Sequence, residues 1–494
     1  MDREPLVPRV FETHISTVVL VGDRALKFPK PIAYAFLDQS TPEKRREICE
    51  RELWLNRRLA PDVYLGVGDV REGDEIVDSF LVMRRMPEHT RLSALVGSPH
   101  FDDAVRDVVR TVAAFHARQP PSSFAASVST RDAVGELWQA KNLDQMQRFA
   151  GSLLDAALLH EVAELSQSYL AGRDALFAER IAHGYARDGH GDLLADDIFI
   201  LPDGPRVLDC LAFDDALRCG DVLLDIAFLA MDLERLAGRP IVDAVMHWYT
   251  EFSAEHHPRS LAHFYIAYRA LVRAKVSCLQ AEQGDASVGR RAAMYLRQCA
   301  RHLRRAQPQL VLVGGAPGTG KTTVADMLAD VDEVTVLSSD EIRKDLAGAE
   351  RHLPLGSAAY EPAARARVYA ALVHRARLLL ERGESVVLDA TWGSAMERTR
   401  AVAMAAEVHA RVVALQCVLD VDTAAVRVEA RRQTSGDASD ATAEVTVALA
   451  LAFEPWPDAA TVDTGGSLEA VRTRLAVVVV GAESPATARR LVDD

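Results

Sequence analysis

A glycine-rich loop between a buried strand and a helix is the feature that most constrains the fold of this chain. Residues 315–322 read Gly-Ala-Pro-Gly-Thr-Gly-Lys-Thr; they follow the apolar run 310–314 and precede an amphipathic segment that begins at Val324. Small residues let backbone N–H groups surround phosphate oxygens, and the N-terminus of the following helix adds positive potential. The sequence therefore predicts a site for the phosphates of a nucleoside triphosphate.

Within this loop we assign phosphate contacts to the backbone and to Lys321, and a Mg²⁺ contact to the hydroxyl of Thr322. The predicted nucleotide-binding residues are Gly315, Gly318, Thr319, Gly320, Lys321, Thr322 and Thr323. Both ATP and GTP fit the pattern. A glycine-rich turn without a ligand is the alternative, and the strand and helix on either side argue against it.

The composition is that of a globular protein with two or three domains. The chain has 494 residues, of which 49% are hydrophobic and 26% are charged, and this length exceeds one ordinary core. A net charge of −14 disfavours nucleic acid as a partner. The six cysteines show no metal-ligand spacing and are typical of reduced cytosolic thiols. No apolar run is long enough to span a bilayer, so we expect a cytoplasmic protein without a membrane partner.

After Pro308, apolar strands alternate with helical segments. The expected strands are 310–314, 334–338, 385–389 and 411–418, and the expected helices are 321–330, 340–347, 363–382, 395–408, 422–433 and 440–452. Continuous apolar strands that alternate with helices indicate a parallel sheet covered on both faces.

The first part of the chain has a different pattern. Strands are expected at 17–21 and 24–28, on either side of a Gly-Asp turn, and again at 65–70 and 76–84, with a helix over 42–60 between the pairs. From about residue 101 the chain becomes mostly helical, apart from short strands at 198–200 and 206–208. This order predicts a small sheet lobe followed by a larger helical lobe that carries one hairpin.

Polar residues follow two of the predicted strands in the second half. Asp340 and Arg343 lie just beyond the second strand, and Asp389 ends the third. Open α/β sheets bind ligands at the carboxyl ends of their strands. We therefore predict that Asp340 is the catalytic base for an acceptor hydroxyl, that Arg343 holds an anionic or polar group, and that Asp389 belongs to the Mg²⁺ site. The alternatives are that Asp340 caps the next helix and that Asp389 is structural.

Three arginines share one side of the helix predicted over 422–433. Arg427, Arg431 and Arg432 are spaced i, i+4 and i+5. We predict that Arg427 and Arg431 are catalytic and neutralise charge that develops on the transferred phosphoryl group. A solvated basic helix face is the alternative.

These motifs resemble those of a group of small P-loop kinases that includes zeta-toxin-like, chloramphenicol-phosphotransferase-like and polynucleotide-kinase-like domains. The similarity covers 306–494 and rests on GAPGTGKTT, SSDEIRK, VVLDAT and the arginine helix followed by Asp437-Ala438-Ser439-Asp440. Membership implies transfer of phosphate to a hydroxyl, with Asp340 as the base. The acceptors of this group are diverse, so the resemblance implies no particular substrate.

The first half resembles the aminoglycoside-phosphotransferase-like kinases, which are related to protein kinases. The resemblance rests on the sequence HGDLLADDI at 190–198 and on VLD at 207–209. It implies that Asp192 is catalytic and that Asp197 and Asp209 bind the metal. Two positions depart from the family pattern HGDLHxxN: Leu194 replaces a histidine and Asp197 replaces the metal-binding asparagine.

The same resemblance implies an ion pair that positions the phosphates, between Lys27 on a strand and Glu52 on the next helix. Glu50 is the alternative partner, since helix register from sequence is uncertain. The segments THIS at 13–16, LNRRLAPD at 55–62 and DIAFL at 225–229 indicate the subgroup that is often fused to a C-terminal P-loop kinase. Ala212 stands where this subgroup often carries glutamate.

We therefore expect two domains, 1–305 and 306–494. The first has an α+β protein-kinase-like fold with a sheet lobe and a helical lobe, and the second has an α/β P-loop kinase fold with a parallel sheet between helices. The predicted function is phosphoryl transfer from ATP, with Mg²⁺, to a hydroxyl of a small molecule. The alternatives are an ATP-binding regulatory or sensor protein with a catalytically weak first domain, and a kinase that acts on nucleic-acid ends.

Overall fold

The computed structural model describes residues 8–13, 15–34, 37–282, 288–332, 334–350, 353, 355, 357–432 and 441–481. The chain divides into two compact units. The N-terminal unit comprises Met1–Glu164, Phe177–His257 and Leu261–Leu303, and the C-terminal unit comprises Leu165–Leu176, Pro258–Ser260 and Arg304–Asp494. Two short segments that precede residue 304 therefore belong to the second unit.

The N-terminal unit begins with an antiparallel sheet. The first strands are β1 (Arg9–Glu12), β2 (Ser16–Val21), β3 (Arg24–Pro29), β4 (Ala33–Tyr34) and β5 (Leu37–Asp38), and after helix α1 (Pro42–Asn56) come β6 (Tyr64–Glu72) and β7 (Glu75–Arg84). In the described residues the strand order is β1-β2-β3-β7-β6, and β4 pairs separately with β5. The predicted hairpin at 17–28 is confirmed, with Gly22 at φ +55° in its turn, a backbone conformation that glycine adopts without strain.

Helix α1 begins where the sequence predicts and ends earlier. The Oγ1 of Thr41 accepts the amide of Lys44 at 3.4 Å, and Pro42 occupies the first turn, where its missing N–H costs nothing. The expected helix continues to residue 60, but the chain after Asn56 forms turns, in which the amide of Arg58 donates to Leu55 O at 3.3 Å. The buried face of α1 carries Cys49 and Glu52 toward the sheet lobe.

The rest of the chain before Gln309 is mostly helical, as expected. Its helices are α2 (Phe101–Arg118), α3 (Ser123–Val128), α4 (Arg131–Trp138), α5 (Asp144–Met146), α6 (Ala156–Ala171), α7 (Asp174–Ala182), α8 (Asp215–Arg218), α9 (Leu223–Ala237), α10 (Pro240–Ser253), α11 (Arg259–Glu282) and α12 (Gly289–Ala306). Its strands are β8 (Ala186–Asp188), β9 (Ile198–Leu201), β10 (Gly204–Val207) and β11 (Cys219–Asp221). Strands β9 and β10 form the predicted hairpin, and β8 pairs with β11, a pair that the sequence did not predict.

The C-terminal unit contains a parallel sheet. Its strands are β12 (Gln309–Gly314), β13 (Thr335–Ser338), β14 (Val386–Asp389), β15 (Arg411–Val418) and β16 (Ala460–Asp463). Its helices are α13 (Lys321–Asp332), α14 (Ser339–Ala347), α15 (Pro362–Glu381), α16 (Ala395–Glu407), α17 (Val421–Arg432), α18 (Ala443–Leu451) and α19 (Leu468–Gly481). In the described residues the strand order is β13-β14-β12-β15-β16. Strand β16 and helix α19 are additions to the predicted elements.

Two apolar clusters cover the two faces of this sheet. Leu310, Leu312 and Leu388 belong to the cluster that includes α15 and α16, whereas Val313 and Val387 belong to the cluster that includes α13 and α19. Neighbouring strand residues thus point to opposite faces, as side chains on a strand alternate. The predicted fold class is confirmed in its architecture, an α+β first unit with an antiparallel sheet and an α/β second unit with a parallel sheet between helices.

Within the described ranges, the structure contains no helix with the length and apolar character needed to cross a membrane.

Candidate functional site

The phosphate loop of the C-terminal unit has a conformation that depends on its glycines. Gly318 has φ +81°, and a Cβ atom built there would lie 2.3 Å from the carbonyl oxygen of Ala424. No larger residue fits that position, because both the backbone angle and the close approach exclude a side chain. The amide of Gly315 donates to Thr391 O at 3.0 Å, and Thr464 Oγ1 donates to Thr319 O at 2.6 Å. The loop is therefore held by hydrogen bonds that do not require a ligand.

The three side chains expected at the phosphates and the metal lie together. Lys321 is the first residue of α13, and its Nζ donates to Ala316 O at 3.1 Å. The hydroxyl of Thr322 donates to Asp389 Oδ2 at 2.7 Å, at the end of β14. Thr323, the last of the predicted nucleotide-binding residues, is exposed.

Asp389 is a buried carboxylate with an environment that suits a cation. It is 4% exposed. Burial raises the pKa of Asp389, and the charge of Lys321 and the hydrogen bond from Thr322 offset this only in part. A carboxylate and a hydroxyl oxygen side by side are ligands that Mg²⁺ accepts, so the residues present fit the predicted metal.

Asp340 and Arg343 stand at the same edge of the sheet as Asp389. Ser338 pairs with Asp389 across β13 and β14, and Asp340 follows two residues later in α14. The cap of α14 is Ser338, whose Oγ accepts the amide of Asp340 at 3.2 Å. The alternative that Asp340 caps the helix is therefore wrong. The Asp340 carboxylate forms an ion pair with Arg343, whose guanidinium lies 4.7 Å from the ring centroid of Tyr360.

Helix α17 carries the predicted arginines. The Nη2 of Arg427 donates to Thr464 O at 3.2 Å, so this arginine reaches the residue that also holds the phosphate loop. Arg431 is exposed on the same helix. The side chain of Arg432 and the segment Asp437–Asp440 lie outside the described residues. The structure thus brings Arg427 to the loop, and the predicted role of Arg431 stays a prediction.

In the N-terminal unit, Lys27 of β3 meets two carboxylates. Its Nζ lies 3.0 Å from Glu52 Oε2 and 2.6 Å from Asp209 Oδ1. Burial alone would lower the pKa of Lys27, but the charges of Asp209 and Glu52 raise it well above its usual value. The partner on α1 is Glu52, since Glu50 pairs with Arg46 at 3.0 Å. The lysine is therefore a permanent cation at the predicted phosphate site.

Asp209 is held in an unusual backbone conformation. Its φ is +62°, which costs energy for a residue other than glycine and is common at functional sites. Its amide donates to Tyr64 Oη at 3.0 Å, and the amide of Cys210 donates to Asn56 Oδ1 at 2.8 Å. The charge of Lys27 is the main cause that lowers the pKa of Asp209, against the effect of burial. Asp209 is thereby fixed as an anion beside Lys27.

Asp225 fixes the loop that carries Asp192. Its carboxylate accepts the amides of His190 at 2.6 Å and Gly191 at 2.8 Å, and His116 Nε2 lies 3.1 Å from its Oδ2. Burial by itself would raise the pKa of Asp225, but the hydrogen bond and charge of His116 lower it. The loop thus bends around a buried anion.

Asp192 itself has a carboxyl group with a raised pKa. Burial raises its pKa to about 6, although the charges of Arg273 and Arg269 on α11 oppose the shift and that of Asp209 adds to it. A carboxylate with this pKa is suited to accept a proton near neutral pH. This environment is compatible with the predicted catalytic role.

Asp197 lies close to both of the other acidic groups. Burial raises its pKa well above the usual value, and the negative charges of Asp209 and Asp192 add to the shift. Carboxylate oxygens are good Mg²⁺ ligands. In the part of the chain that the structure describes, however, no group of three or more His, Cys, Asp or Glu side chains is arranged around a common metal position. Asp197 and Asp209 thus stay predictions as metal ligands.

Comparison with known proteins shows which family the chain belongs to. A family model described as an AAA domain matches residues 310–456. The uncharacterized protein Rv2004c of Mycobacterium tuberculosis is 39% identical over 473 residues, which cover 94% of each chain, and the uncharacterized protein Mb2027c of Mycobacterium bovis has the same values. This chain belongs to the Rv2004c family.

The search of solved structures also found similar chains. A gluconokinase from Sinorhizobium meliloti is 21% identical, with 36% of this chain and 94% of that chain covered and a TM-score of 0.27. A choline/ethanolamine kinase family protein from Mesorhizobium loti is 15% identical, with 61% and 92% covered and a TM-score of 0.38.

The sequence alone did not identify several residues of the two candidate sites in this member of the Rv2004c family. Asn56 and Tyr64 hold the backbone at 209–210, and Asn56 belongs to the segment 55–62 that the resemblance had already singled out. Arg273 was missed completely. Its charge acts on Asp192, and its buried Nε has no hydrogen-bond partner in the described residues. Nothing in the periodicity of α11 distinguishes this arginine from one exposed to solvent.

Asp197→Asn should make this protein more stable at alkaline pH. Because the pKa of Asp197 is raised in the folded state, the folded chain binds a proton more strongly than the unfolded chain, and stability falls as pH rises above about 4. Asparagine removes that loss. We expect a melting temperature about 2–4 °C higher at pH 8 in metal-free buffer and no difference at acidic pH, measured by calorimetry.

The control is Asp203→Asn on the same hairpin. A hydrogen bond from Arg206 lowers the pKa of Asp203, so this change should have no stabilising effect at pH 8. If the two variants behave alike, or if Asp197→Asn loses stability as pH rises, the charge environment described for Asp197 is wrong.

Proposed function

We propose that this protein is an ATP-dependent phosphotransferase, with Mg²⁺, that acts on a hydroxyl of a small molecule at the C-terminal unit. One observation carries the proposal. The hydroxyl of Thr322 is bonded to the buried Asp389 at 2.7 Å, next to Lys321 and the glycine-rich loop. A hydroxyl and a carboxylate that converge beside a phosphate loop are the parts that phosphoryl transfer requires.

In this proposal, each residue of the C-terminal site has a separate role in phosphoryl transfer. Backbone amides of the loop bind the phosphates, and Lys321 exchanges its contact with Ala316 O for a phosphate oxygen. Thr322 and Asp389 would hold Mg²⁺, which neutralises phosphate charge when bound. Asp340 takes the proton of the acceptor hydroxyl, while the new bond from the acceptor oxygen to the terminal phosphorus replaces the bond between that phosphorus and ADP. Arg427 stabilises negative charge on the transferred group.

The test uses the full-length protein. Binding of ATP and of GTP, each with Mg²⁺, is measured by calorimetry, and acceptor-dependent release of ADP is then followed across a library of hydroxylated metabolites. We expect nucleotide binding without an acceptor and faster ADP release with at least one small hydroxyl compound. Absence of binding at millimolar nucleotide would contradict the proposal.

A second nucleotide site in the N-terminal unit is supported by Lys27. This half-buried cation has two carboxylate partners, Glu52 and Asp209, and would hold phosphates as predicted. We propose that each chain binds two nucleotides. Equilibrium binding should give a stoichiometry of two for the wild type and of one for either Lys27→Ala or Lys321→Ala.

The variant Asp192→Asn shows whether the N-terminal unit is a second kinase or only senses nucleotide. If the N-terminal unit transfers phosphate, a Lys321→Ala protein retains slow ATP turnover that Asp192→Asn removes. If the unit only binds nucleotide, Asp192→Asn in the otherwise wild-type protein leaves turnover unchanged, and that protein still binds two nucleotides. If the wild-type protein binds one nucleotide and the Lys321→Ala protein binds none, the second site is ruled out.

A further inference from the structure

A small cavity opens beside the phosphate loop in the C-terminal unit. It has a volume of about 180 Å³, and its lining includes Ala316 of the loop, Arg365 of α15, Thr391 and Ser394. Because the carbonyl of Thr391 accepts the amide of Gly315 at 3.0 Å, the cavity and the phosphate loop share a wall. A molecule in this cavity lies next to the phosphates that the loop is expected to bind.

The wall of the cavity is held in one conformation. Trp392 is fully buried and has φ +51°, a strained angle that persists only where the surroundings enforce it. Its Nε1 donates to Leu388 O at 3.1 Å, and its amide donates to Tyr369 Oη at 3.1 Å. The guanidinium of Arg398 donates to Trp392 O at 2.8 Å and to Pro455 O at 2.7 Å. The cavity is therefore largely preformed, as ligand sites usually are.

The two charged side chains that line the cavity, Glu454 and Arg365, differ in the contacts that they make. Glu454 Oε2 accepts the amide of Ala395 at 2.5 Å, at the start of α16. Arg365 is half-buried, and its guanidinium lies 5.7 Å from the ring centroid of Tyr369. Among the described residues, no carboxylate forms an ion pair with Arg365. A guanidinium that lines a cavity and forms no ion pair favours an anionic ligand, since its fork of donors matches carboxylate and phosphate.

A hydroxyl group completes the lining. Ser394 occupies the cap position of α16, yet its side chain makes no capping hydrogen bond. This hydroxyl can therefore form a hydrogen bond with a hydroxyl group of a polyol. Thr391 Oγ1, by contrast, is already 2.8 Å from Tyr369 Oη. The cavity thus offers a cation at one place and a hydrogen-bonding hydroxyl at another.

We propose that this cavity is the acceptor site of the C-terminal unit and that it takes a small hydroxylated acid, whose carboxylate or phosphate group binds Arg365. The inference rests on the proposed function of that unit. A volume of about 180 Å³ is below the roughly 300–1,000 Å³ of sites for drug-sized ligands. A compact metabolite therefore fits this site better than an aminoglycoside. As the acceptor oxygen bonds to the terminal phosphorus of ATP, the acceptor proton passes to Asp340, the bond between that phosphorus and the bridging oxygen breaks, and ADP leaves.

The test pairs each neutral polyol with its acids in the full-length protein. The probes are glycerol, D-glycerate and glycerol 3-phosphate, and sorbitol, D-gluconate and sorbitol 6-phosphate. We expect an acid to bind in calorimetry and to accelerate ADP release more than its neutral partner does. The carboxylate and phosphate members show which anionic group the site prefers.

Arg365→Gln is the decisive variant. It should raise the KM for the acid by about 10- to 100-fold, the effect of losing a hydrogen-bonded charge, while kcat and the Kd for ATP stay unchanged. Arg367→Gln is the matched control, because Arg367 is exposed on the same helix. Arg365→Lys should restore part of the affinity, since it keeps the charge without the fork of donors.

Two results would overturn the inference and leave the proposed function intact. In one, no acid outperforms its neutral partner; in the other, Arg365→Gln and Arg367→Gln have the same KM. In both cases ATP binding that depends on Lys321 persists. Loss of that binding in the wild-type protein would overturn the proposed function and the acceptor site together.

Discussion

Lys321→Ala is expected to reduce acceptor-dependent ADP release by about 100- to 1,000-fold, the usual effect of removing one group that stabilises transition-state charge. The fold should survive, because the Nζ of Lys321 contacts only Ala316 O, at 3.1 Å, among the hydrogen bonds of the described residues. The loop keeps its shape through Gly315, Thr319 and Thr464. The measurement is steady-state ADP release in a Lys27→Ala background, so that turnover at the N-terminal unit does not contribute.

The control for this variant is Lys44→Ala. Lys44 forms a surface ion pair with Asp38, so its removal should leave turnover unchanged. Turnover of the Lys321→Ala protein equal to that of the control would mean that phosphoryl transfer takes place elsewhere in the molecule.

Asp340→Asn is expected to lower kcat by about 100- to 10,000-fold, the range for removal of a general base, with the Kd for ATP unchanged. The amide keeps the shape of the side chain and cannot take the proton of the acceptor. Helix α14 should remain intact because Ser338, not Asp340, caps it. Nucleotide binding by calorimetry and ADP release under saturating acceptor separate the two effects.

Asp345→Asn is the matched control on the same helix. Its carboxylate is exposed and pairs with Arg375 at 2.9 Å, away from the predicted chemistry. If Asp340→Asn and Asp345→Asn have equal kcat, then Asp340 is not the base, and its ion pair with Arg343 is structural.

The phosphate loop was predictable because its sequence dictates its local structure. Positive φ at Gly318 and the start of α13 at Lys321 depend on residues close in the chain, so a short motif contains the information. Asp389 was also predictable, since a carboxylate at the end of an apolar strand falls at the ligand edge of a parallel sheet. The hairpin at Gly22 followed from turn residues between apolar runs.

Other features depend on contacts between distant segments. Strand β16 at Ala460–Asp463 is short and has a single buried residue, so its pattern is too weak to distinguish it from a loop. Arg365 and Arg273 look like ordinary surface arginines in sequence, and only the fold places one at a cavity and the other near Asp192. The choice between Glu50 and Glu52 as the partner of Lys27 likewise depends on the register of α1 against β3, which the sequence does not show.

Thr464 joins two parts of the C-terminal unit that are far apart in sequence. Its hydroxyl holds Thr319 O in the phosphate loop, and its carbonyl oxygen accepts Arg427 from α17. One residue thus fixes both the backbone of the phosphate loop and the side chain of an arginine on a separate helix. A substitution that removes the Thr464 hydroxyl would therefore loosen the phosphate loop and disturb the anchoring of Arg427 at the same time.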